Sequence, residues 1–211
     1  MICVSITEKN PASIIALANS AEMSEIRIDL CGLTVQTTAE VFSQVKKPAI
    51  ATCRPDNCPD ALRLELLKTA IASGAAYVDV EIESNESFKK EIITYAHSKG
   101  CRCIISYHNY EKTPSLQELK SIVDSCFAQH ADIAKVATMA HSQEDSARVL
   151  SLYADYKNVV ALAMGEIGKI TRIANVYLGS PFSFAAVSLE SATAKGQMTV
   201  EQMQECKKIL G

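Results

Sequence analysis

The chain has 211 residues, 48% of them hydrophobic, so it can bury one sizeable core and lies near the upper size of a single domain. Its formal net charge of -3 and isoelectric point near 5.8 do not indicate the basic surface with which proteins bind nucleic acids or anionic membranes. No run approaches the roughly 20 apolar residues of a membrane span, and the chain does not open with the positively charged n-region of a secretory leader. We therefore expect a cytoplasmic protein with neither a nucleic-acid nor a membrane partner.

Short apolar, β-rich runs alternate with longer amphipathic runs along the whole chain. In chain order, the eight predicted strands are 2–6, 25–30, 49–54, 77–83, 101–108, 133–139, 159–164 and 182–187. They are short and mostly apolar, as is typical of parallel strands whose two faces are covered. Helical patterns between them include 11–22, 60–74, 87–100, 115–130 and 142–157, and the chain closes with one at 199–211.

Several of the predicted helices carry start and stop signals. The predicted N-caps are Asp60, Ser115, Ser142 and Thr199, and the predicted C-terminal stops are Gly74 and Gly100. Eight strand–helix units in 211 residues leave about 26 residues for each unit, close to the minimum. The pattern predicts a compact (β/α)8 TIM barrel with one domain over residues 1–211. An open doubly wound sheet would give a similar pattern, but no glycine-rich phosphate-binding turn supports a nucleotide fold.

Eight cysteines are spread along the chain, and four of them (Cys3, Cys53, Cys101 and Cys103) lie in apolar, β-branched surroundings. We expect buried, reduced thiols rather than disulfides. The chain contains neither a paired CxxC nor an HExxH motif, so no metal site is expected.

A lysine stands inside the otherwise apolar run IAKVATM. If Lys135 is buried there, its charge is costly unless it is paired or neutralised. A buried lysine that loses its proton is a nucleophile toward carbonyl groups and forms a Schiff base. The alternative is that Lys135 lies at an exposed edge or at the start of its strand.

A histidine ends the predicted strand CRCIISYH. A barrel enzyme carries its catalytic residues at the carboxyl ends of its strands, and imidazole exchanges protons near neutral pH. We therefore predict that His108 is the catalytic acid and base beside Lys135, although a hydrogen-bonded structural histidine is the alternative. His97, His130 and His141 lie in helix or loop contexts and are predicted to be surface residues.

The segment EIRIDL places charged groups at every second position. Glu25, Arg27 and Asp29 would share one face of a strand, either a solvated edge or the interior of a barrel. Arg54 and Arg172 add further candidate anion contacts. Three arginines predict an acidic, oxygen-rich substrate.

Seven segments, in register with the eight units, resemble motifs of one family across nearly the whole chain. They are EIRIDL (family E-W-R-x-D), TCR (T-x-R), YVDVEIE (D-x-E), SYHNYEKTP (S-x-H-D-F-x-x-T-P), IAKVATM (the lysine strand), ALAMGEIGKITRI (S-M-x-x-x-G-x-x-S-R) and GSPFSFAAV with SATAKGQ (the last strand and its S-A-P-G-Q loop). The chain therefore resembles the type I 3-dehydroquinate dehydratase family.

The resemblance implies a role for each matching residue. Lys135 would form the imine, His108 would move the protons, and Asp79 and Glu81 would be polar residues inside the barrel. The implied substrate contacts are Glu25, Arg27, Arg54, Met164, Arg172, Phe184, Thr193 and Gln197.

The implied activity is that of a lyase of the shikimate pathway of aromatic amino acid biosynthesis. The small-molecule substrate would be 3-dehydroquinate, which is dehydrated to 3-dehydroshikimate through a lysine Schiff base without a cofactor or a metal. The family also implies a homodimer. Two alternatives are a class I aldolase that uses the same lysine and a non-catalytic barrel that binds a cyclic acid.

The chain departs from the family pattern at three points. The segment RPDNCPD lacks the glutamate that supports the catalytic histidine in the family. Either Asp56 or Asp60 serves in its place, or His108 lacks that partner. Asn109 replaces the aspartate after the histidine. Lys195 replaces the proline of S-A-P-G-Q, which predicts a more flexible closing loop.

Overall fold

The computed structural model describes residues 1–211, with the exception of the side chain of Asn57. Over these residues the eight strands are β1 (Ile2–Ile6), β2 (Met23–Arg27), β3 (Ala49–Thr52), β4 (Tyr77–Glu81), β5 (Arg102–Asn109), β6 (Ile133–Met139), β7 (Val159–Met164) and β8 (Ser183–Ala186). The helices are α1 (Pro11–Ser20), α2 (Ile28–Cys31), α3 (Val35–Gln44), α4 (Asp60–Ala72), α5 (Glu86–Ser98), α6 (Leu116–Ala128), α7 (Gln143–Asp155), α8 (Lys169–Tyr177) and α9 (Val200–Leu210). All eight predicted strands are confirmed, with shifts at their ends.

The strands follow one another in the sheet in the order β7-β6-β5-β4-β3-β2-β1-β8. Consecutive strands are therefore neighbours, as repeated strand–helix units produce. The pairs β2–β3, β3–β4 and β6–β7 are parallel, with Thr52 opposite Asp79 and Lys135 opposite Val160. This register decides which side chains meet at the carboxyl ends of the strands.

The chain contains two compact units, Val4–Ile105 and a second unit formed by Met1–Cys3 with Ser106–Gly211. In the first unit, α4 packs on β3 and β4 and lies between α3 and α5. In the second unit, α7 and α8 pack on β7, and α9 packs on β8. The core of the second unit includes the cluster Ile2, Ile173, Ala185 and Met203.

Three of the four predicted N-caps are confirmed. Ser115, Ser142 and Thr199 each accept a hydrogen bond from the backbone of the third helical residue and form capping boxes. The prediction for Asp60 is wrong, because Pro59 is the N-cap and Asp60 is the first residue of α4. Both predicted stops are confirmed, since Gly74 and Gly100 follow α4 and α5 with φ of 109° and 72°.

The second strand is shorter than predicted. It ends at Arg27, and Asp29 lies in the short helix α2, so the prediction that three charged residues share one strand face is wrong. Helix α2 has its C-cap at Gly32, whose left-handed φ of 67° suits glycine. Arg27 donates two hydrogen bonds to Asp29, at 3.0 and 2.7 Å, which ties the end of β2 to the helix that follows it.

The cysteines are free thiols, and seven of the eight are buried, while Cys206 is half-buried. The prediction of buried, reduced thiols is therefore confirmed. None of the described helices combines the length and the apolar composition that crossing a membrane would take.

Candidate active site

Lys135 lies in the middle of β6 and is 5% exposed. Its Nζ atom is 4.2 Å from the ring centroid of Phe184 on β8, which is a cation–π distance. Phe184 in turn packs edge-on against Phe182, with ring centroids 5.5 Å apart. The alternative of an exposed or strand-initial lysine is wrong, and the structure brings two predicted site residues, Lys135 and Phe184, into contact.

His108 is the penultimate residue of β5 and is half-buried. Its ring stacks on Tyr110, with centroids 6.1 Å apart and an interplanar angle of 12°. Asn109 accepts hydrogen bonds from the backbone of Glu111 and Lys112, at 3.0 and 2.9 Å, and so turns the chain at the end of the strand. The asparagine that departs from the family pattern thus shapes the loop that follows the histidine.

The other three histidines have the positions predicted for them. His97, His130 and His141 are exposed. This leaves His108 as the half-buried member of the four.

Arg172 on α8 is 1% exposed. Within the described part of the chain, its Nε and Nη2 atoms have no hydrogen-bond partner. Burial lowers the pKa of Arg172 to about 10, because the charged form has lost its hydration. A buried guanidinium with unpaired donors can bind an anion, which is what the predicted carboxylate contact requires.

The loop between β8 and α9 carries two more predicted contacts. Gln197 is buried, and its Oε1 atom accepts hydrogen bonds from the backbone and hydroxyl of Thr193 at 2.7 and 3.2 Å. The carbonyl of Lys195 accepts a hydrogen bond of 3.0 Å from Gly165, just after β7. Met164, the last residue of β7, is 2% exposed. The loop is therefore held to the carboxyl end of β7.

The first compact unit carries the remaining predicted contacts. Glu25 is 4% exposed and accepts hydrogen bonds from Ser5 at 2.8 Å and from Thr52 at 3.0 Å. Burial would lower the pKa of Arg27, but its hydrogen bond to Asp29 and the charge of Glu25 raise it above its ordinary value. Both groups are held in position by neighbouring polar side chains.

Arg54 follows β3 and donates from Nη1 to Asp79, at 3.1 Å, and to Glu81. Burial alone would lower its pKa, yet the negative charges of Asp79 and Glu81 raise it, so the guanidinium is firmly cationic. The polar residues Asp79 and Glu81, which the D-x-E motif placed inside the barrel, therefore serve as counter-ions of a candidate substrate contact.

Sequence reasoning missed Arg63, which is 1% exposed and bonds Cys53, Asp60 and Glu81. The signal was present, because Arg63 occupies the apolar stripe of α4 together with Leu66, Leu67 and Ala70, all of them buried. A charged residue at such a position needs partners. Asp60 provides one of them at 2.7 Å.

A model of the family described as Type I 3-dehydroquinase matches residues 2–211. The chain is 36% identical over 224 residues to a 3-dehydroquinate dehydratase of Methanococcus maripaludis, covering all of both proteins. It is 33% identical over 212 residues to a 3-dehydroquinate dehydratase of Dehalococcoides mccartyi, covering 97% of this chain and 93% of that protein.

Solved structures are similar over nearly the whole chain. The 3-dehydroquinate dehydratase of Aquifex aeolicus has a TM-score of 0.81 at 27% identity, covering 99% of this chain and 98% of that one. The Clostridium difficile type I enzyme has a TM-score of 0.86 at 24% identity, covering 99% and 91%, and supports the fold alone. The predicted (β/α)8-barrel fold class is confirmed.

Proposed function

Because the chain belongs to the type I 3-dehydroquinase family, we propose that it dehydrates 3-dehydroquinate to 3-dehydroshikimate through a Schiff base on Lys135. It is an enzyme, a lyase of the shikimate pathway, and the family gives the overall reaction. The observation that carries the Schiff-base proposal is Lys135 itself, a buried amine in the middle of an apolar strand. Such a position suits an amine that reacts with a ketone.

The first steps join the substrate to the lysine. The Nζ atom of Lys135 adds to the ketone carbon, and loss of water gives an iminium ion. The iminium withdraws electrons from the adjacent carbon, so a proton can leave there and an enamine forms. The ring of Phe184 lies 4.2 Å from Nζ, where its π face favours a cation such as the iminium.

His108 moves the protons in this proposal. Its imidazole removes the proton from the carbon next to the iminium and then donates a proton to the departing hydroxyl, which leaves as water. The enamine electrons form the new carbon–carbon double bond. Hydrolysis of the product imine releases 3-dehydroshikimate and returns Lys135 to its starting form.

The remaining site residues bind the substrate. Arg172 is the contact for the substrate carboxylate, supported by its buried, unpaired Nε and Nη2 atoms. The other proposed contacts are Glu25, Arg27, Arg54, Met164, Phe184, Thr193 and Gln197. Binding in a fixed orientation lowers the entropic barrier to each chemical step.

Neither rival gains a specific supporting observation. An aldolase of this fold would bind a phosphorylated sugar through a glycine-rich loop, and the sequence shows no such motif. A non-catalytic barrel would not need both Lys135 and His108, and the chain has both. The proposed reaction uses no cofactor or metal. A homodimer and a cytoplasmic location stay predictions, and sedimentation velocity would measure the first.

The proposal is tested by trapping the imine. Borohydride added with 3-dehydroquinate should inactivate the protein and leave the mass of the reduced adduct on Lys135, located by peptide mass spectrometry. Lys135→Ala should lose nearly all activity and give no adduct, because the amine that forms the imine is gone. Circular dichroism checks that the variant is folded. An adduct on a different lysine, or substantial turnover by Lys135→Ala, would overturn the Schiff-base assignment.

A further inference from the structure

We propose that Arg63 is a positioning residue that holds Arg54 in place for substrate, acting through Glu81 and through the backbone just before Arg54. This inference rests on the proposed function, because Arg54 is there a substrate contact. Arg63 lies on α4, and Arg54 lies nine residues earlier, in the segment between β3 and the 3₁₀ turn Pro55–Asn57. Both belong to the compact unit Val4–Ile105.

The counter-ion of Arg54 is shared between two arginines. Oε1 of Glu81 accepts from Arg54, and Oε2 accepts from Nη2 of Arg63 at 2.8 Å. The parallel register places Thr52 opposite Asp79, so two residues further along, Arg54 follows β3 beside Glu81 at the end of β4. With its second oxygen occupied by Arg63, Glu81 presents a single oxygen to Arg54.

The second route from Arg63 to Arg54 is through the backbone. Nε of Arg63 donates a hydrogen bond of 3.0 Å to the carbonyl of Cys53, the residue directly before Arg54. This bond fixes the chain where it leaves β3 and starts toward the 3₁₀ turn. Arg63 therefore helps to set the direction in which the side chain of Arg54 leaves the backbone.

Arg63 is itself held rigidly. Its third nitrogen, Nη1, donates to Asp60 at 2.7 Å, so each of its three guanidinium nitrogens has a partner. The Phe88 ring of α5 lies 4.6 Å from its Cζ atom. A fully bonded, stacked and buried guanidinium is a fixed support, and a lysine cannot reproduce this geometry.

Loss of Arg63 would change the contacts of Arg54 in a definite way. Oε2 of Glu81 would lose its arginine and keep the longer hydrogen bond of 3.4 Å from the hydroxyl of Ser84. A carboxylate beside one guanidinium favours a bidentate, charge-assisted pair over such a bond. Glu81 would then bind Arg54 with both oxygens and turn the guanidinium away from the substrate. The main consequence is weaker substrate binding rather than slower chemistry.

The test compares Arg63→Gln, Arg63→Lys and Arg54→Ala with the wild-type chain, using the ultraviolet absorbance of the enone product. Arg63→Gln should raise KM for 3-dehydroquinate about tenfold and change kcat by less than about threefold. Arg63→Lys should raise KM less, since an ammonium can still pair with Glu81. Lys68→Gln, on the same helix in a partly exposed pair with Glu91, is the control and should leave both constants unchanged.

A double-mutant cycle separates positioning from a general structural role. If Arg63 acts through Arg54, then Arg63→Gln should add nothing to KM in the Arg54→Ala background. An unchanged KM in Arg63→Gln, additive effects in the double mutant, or an unchanged KM in Arg54→Ala would each overturn the inference. If Arg63→Gln does not fold, the same cycle with Arg63→Lys decides by the same criteria. A wild-type chain without dehydratase activity would instead count against the proposed function.

Discussion

Two buried arginines, Arg63 and Arg172, are each 1% exposed, yet they stand in opposite electrostatic situations. Arg63 donates to three protein acceptors, two of them carboxylates. Arg172 has two nitrogens, Nε and Nη2, without a partner among the described residues. A buried charge that lacks its partner costs several kcal/mol, which a protein retains where a ligand supplies the partner. The first arginine thus supports structure and the second suits an anionic substrate.

For Arg172, we expect substitution by methionine to weaken substrate binding and to stabilise the empty protein. The folded-state pKa of about 10 is below the ordinary 12.5, so between these values the unfolded chain holds a proton that the folded protein has released. Stability therefore rises with pH through this window, and at neutral pH the charge is destabilising. Urea unfolding at pH 7 should show Arg172→Met to be more stable by about 1–3 kcal/mol.

In the same variant, KM should rise about 30- to 700-fold, which corresponds to about 2–4 kcal/mol for a charged contact to a carboxylate. Lys169→Met, three residues earlier on α8 and partly exposed, should leave KM unchanged. A KM near the wild-type value in Arg172→Met would place the substrate carboxylate elsewhere.

For His108, we expect substitution by alanine to slow both proton abstraction and hydrolysis of the imine. Proton transfer by a positioned side chain contributes about 10²- to 10⁴-fold to the rate, so kcat should fall by at least about 10²-fold. Because Lys135 and Arg172 remain, a covalent complex should accumulate and be visible by intact-protein mass spectrometry without borohydride. His97→Ala, at an exposed histidine on α5, is the control. Normal turnover, or slow turnover with no adduct, would rule out the dual role.

At the scale of elements, the alternation of apolar and amphipathic runs was enough to place all eight strands, but it did not mark where each strand ends. Strand β2 was predicted to continue to residue 30, since Ile28 and Leu30 prolong its apolar alternation. The structure ends it at Arg27 because the side chain of Asp29 bonds Arg27 from a helical turn that Gly32 closes. Similarly, Asp60 bonds Arg63 rather than capping α4. The end of β2 and the start of α4 both depend on side-chain pairing that periodicity does not encode.

The loop between β8 and α9 depends on a close backbone approach. Gly196 has a φ of +74°, and a Cβ atom there would lie 2.3 Å from the carbonyl oxygen of Gly165. This collision is with backbone, so one of the two segments must move. The Lys195–Gly165 hydrogen bond adjoins the same point. The placement of Thr193 and Gln197 therefore depends on a glycine at 196.

We expect Gly196→Ala to displace this loop and to raise KM about tenfold or more, because two proposed substrate contacts move together. The control is Gly100→Ala, where φ is +72° but nothing lies within 4 Å of the added Cβ. The control carries the same backbone strain, about 1–2 kcal/mol, without the collision. Steady-state kinetics and thermal unfolding of both variants measure the difference. Equal effects on KM in the two variants would show that the contact with Gly165 does not position the loop.

At the scale of the whole molecule, the repeated strand–helix units and seven motifs were sufficient to predict the fold class and the family. The motifs also named Lys135, Arg172 and Arg54, because residue identity and strand position are visible in a sequence. They did not name Arg63, whose role depends on Glu81 and Cys53, 18 and 10 residues away along the chain. A support of this kind is defined by tertiary contacts rather than by a local pattern.

The prediction of one domain over residues 1–211 has a direct test. The boundaries between the two compact units fall inside β1 and β5, whereas domain boundaries ordinarily fall in exposed linkers. We therefore expect a single cooperative unfolding transition. Two buried cysteines report on the two units. Cys103 lies on β5 in the unit Val4–Ile105, and Cys126 lies on α6 in the other unit.

In a urea series, pulsed thiol labelling read by mass spectrometry should give Cys126 and Cys103 the same midpoint, equal to that from far-ultraviolet circular dichroism. Cys206, which is only half-buried on the last helix, should label before the transition and serves as the internal control. Because each site is read within the same sample, a difference in denaturant concentration cannot separate the two midpoints. Distinct midpoints for Cys126 and Cys103 would mean that the two units unfold independently and that the chain has two domains.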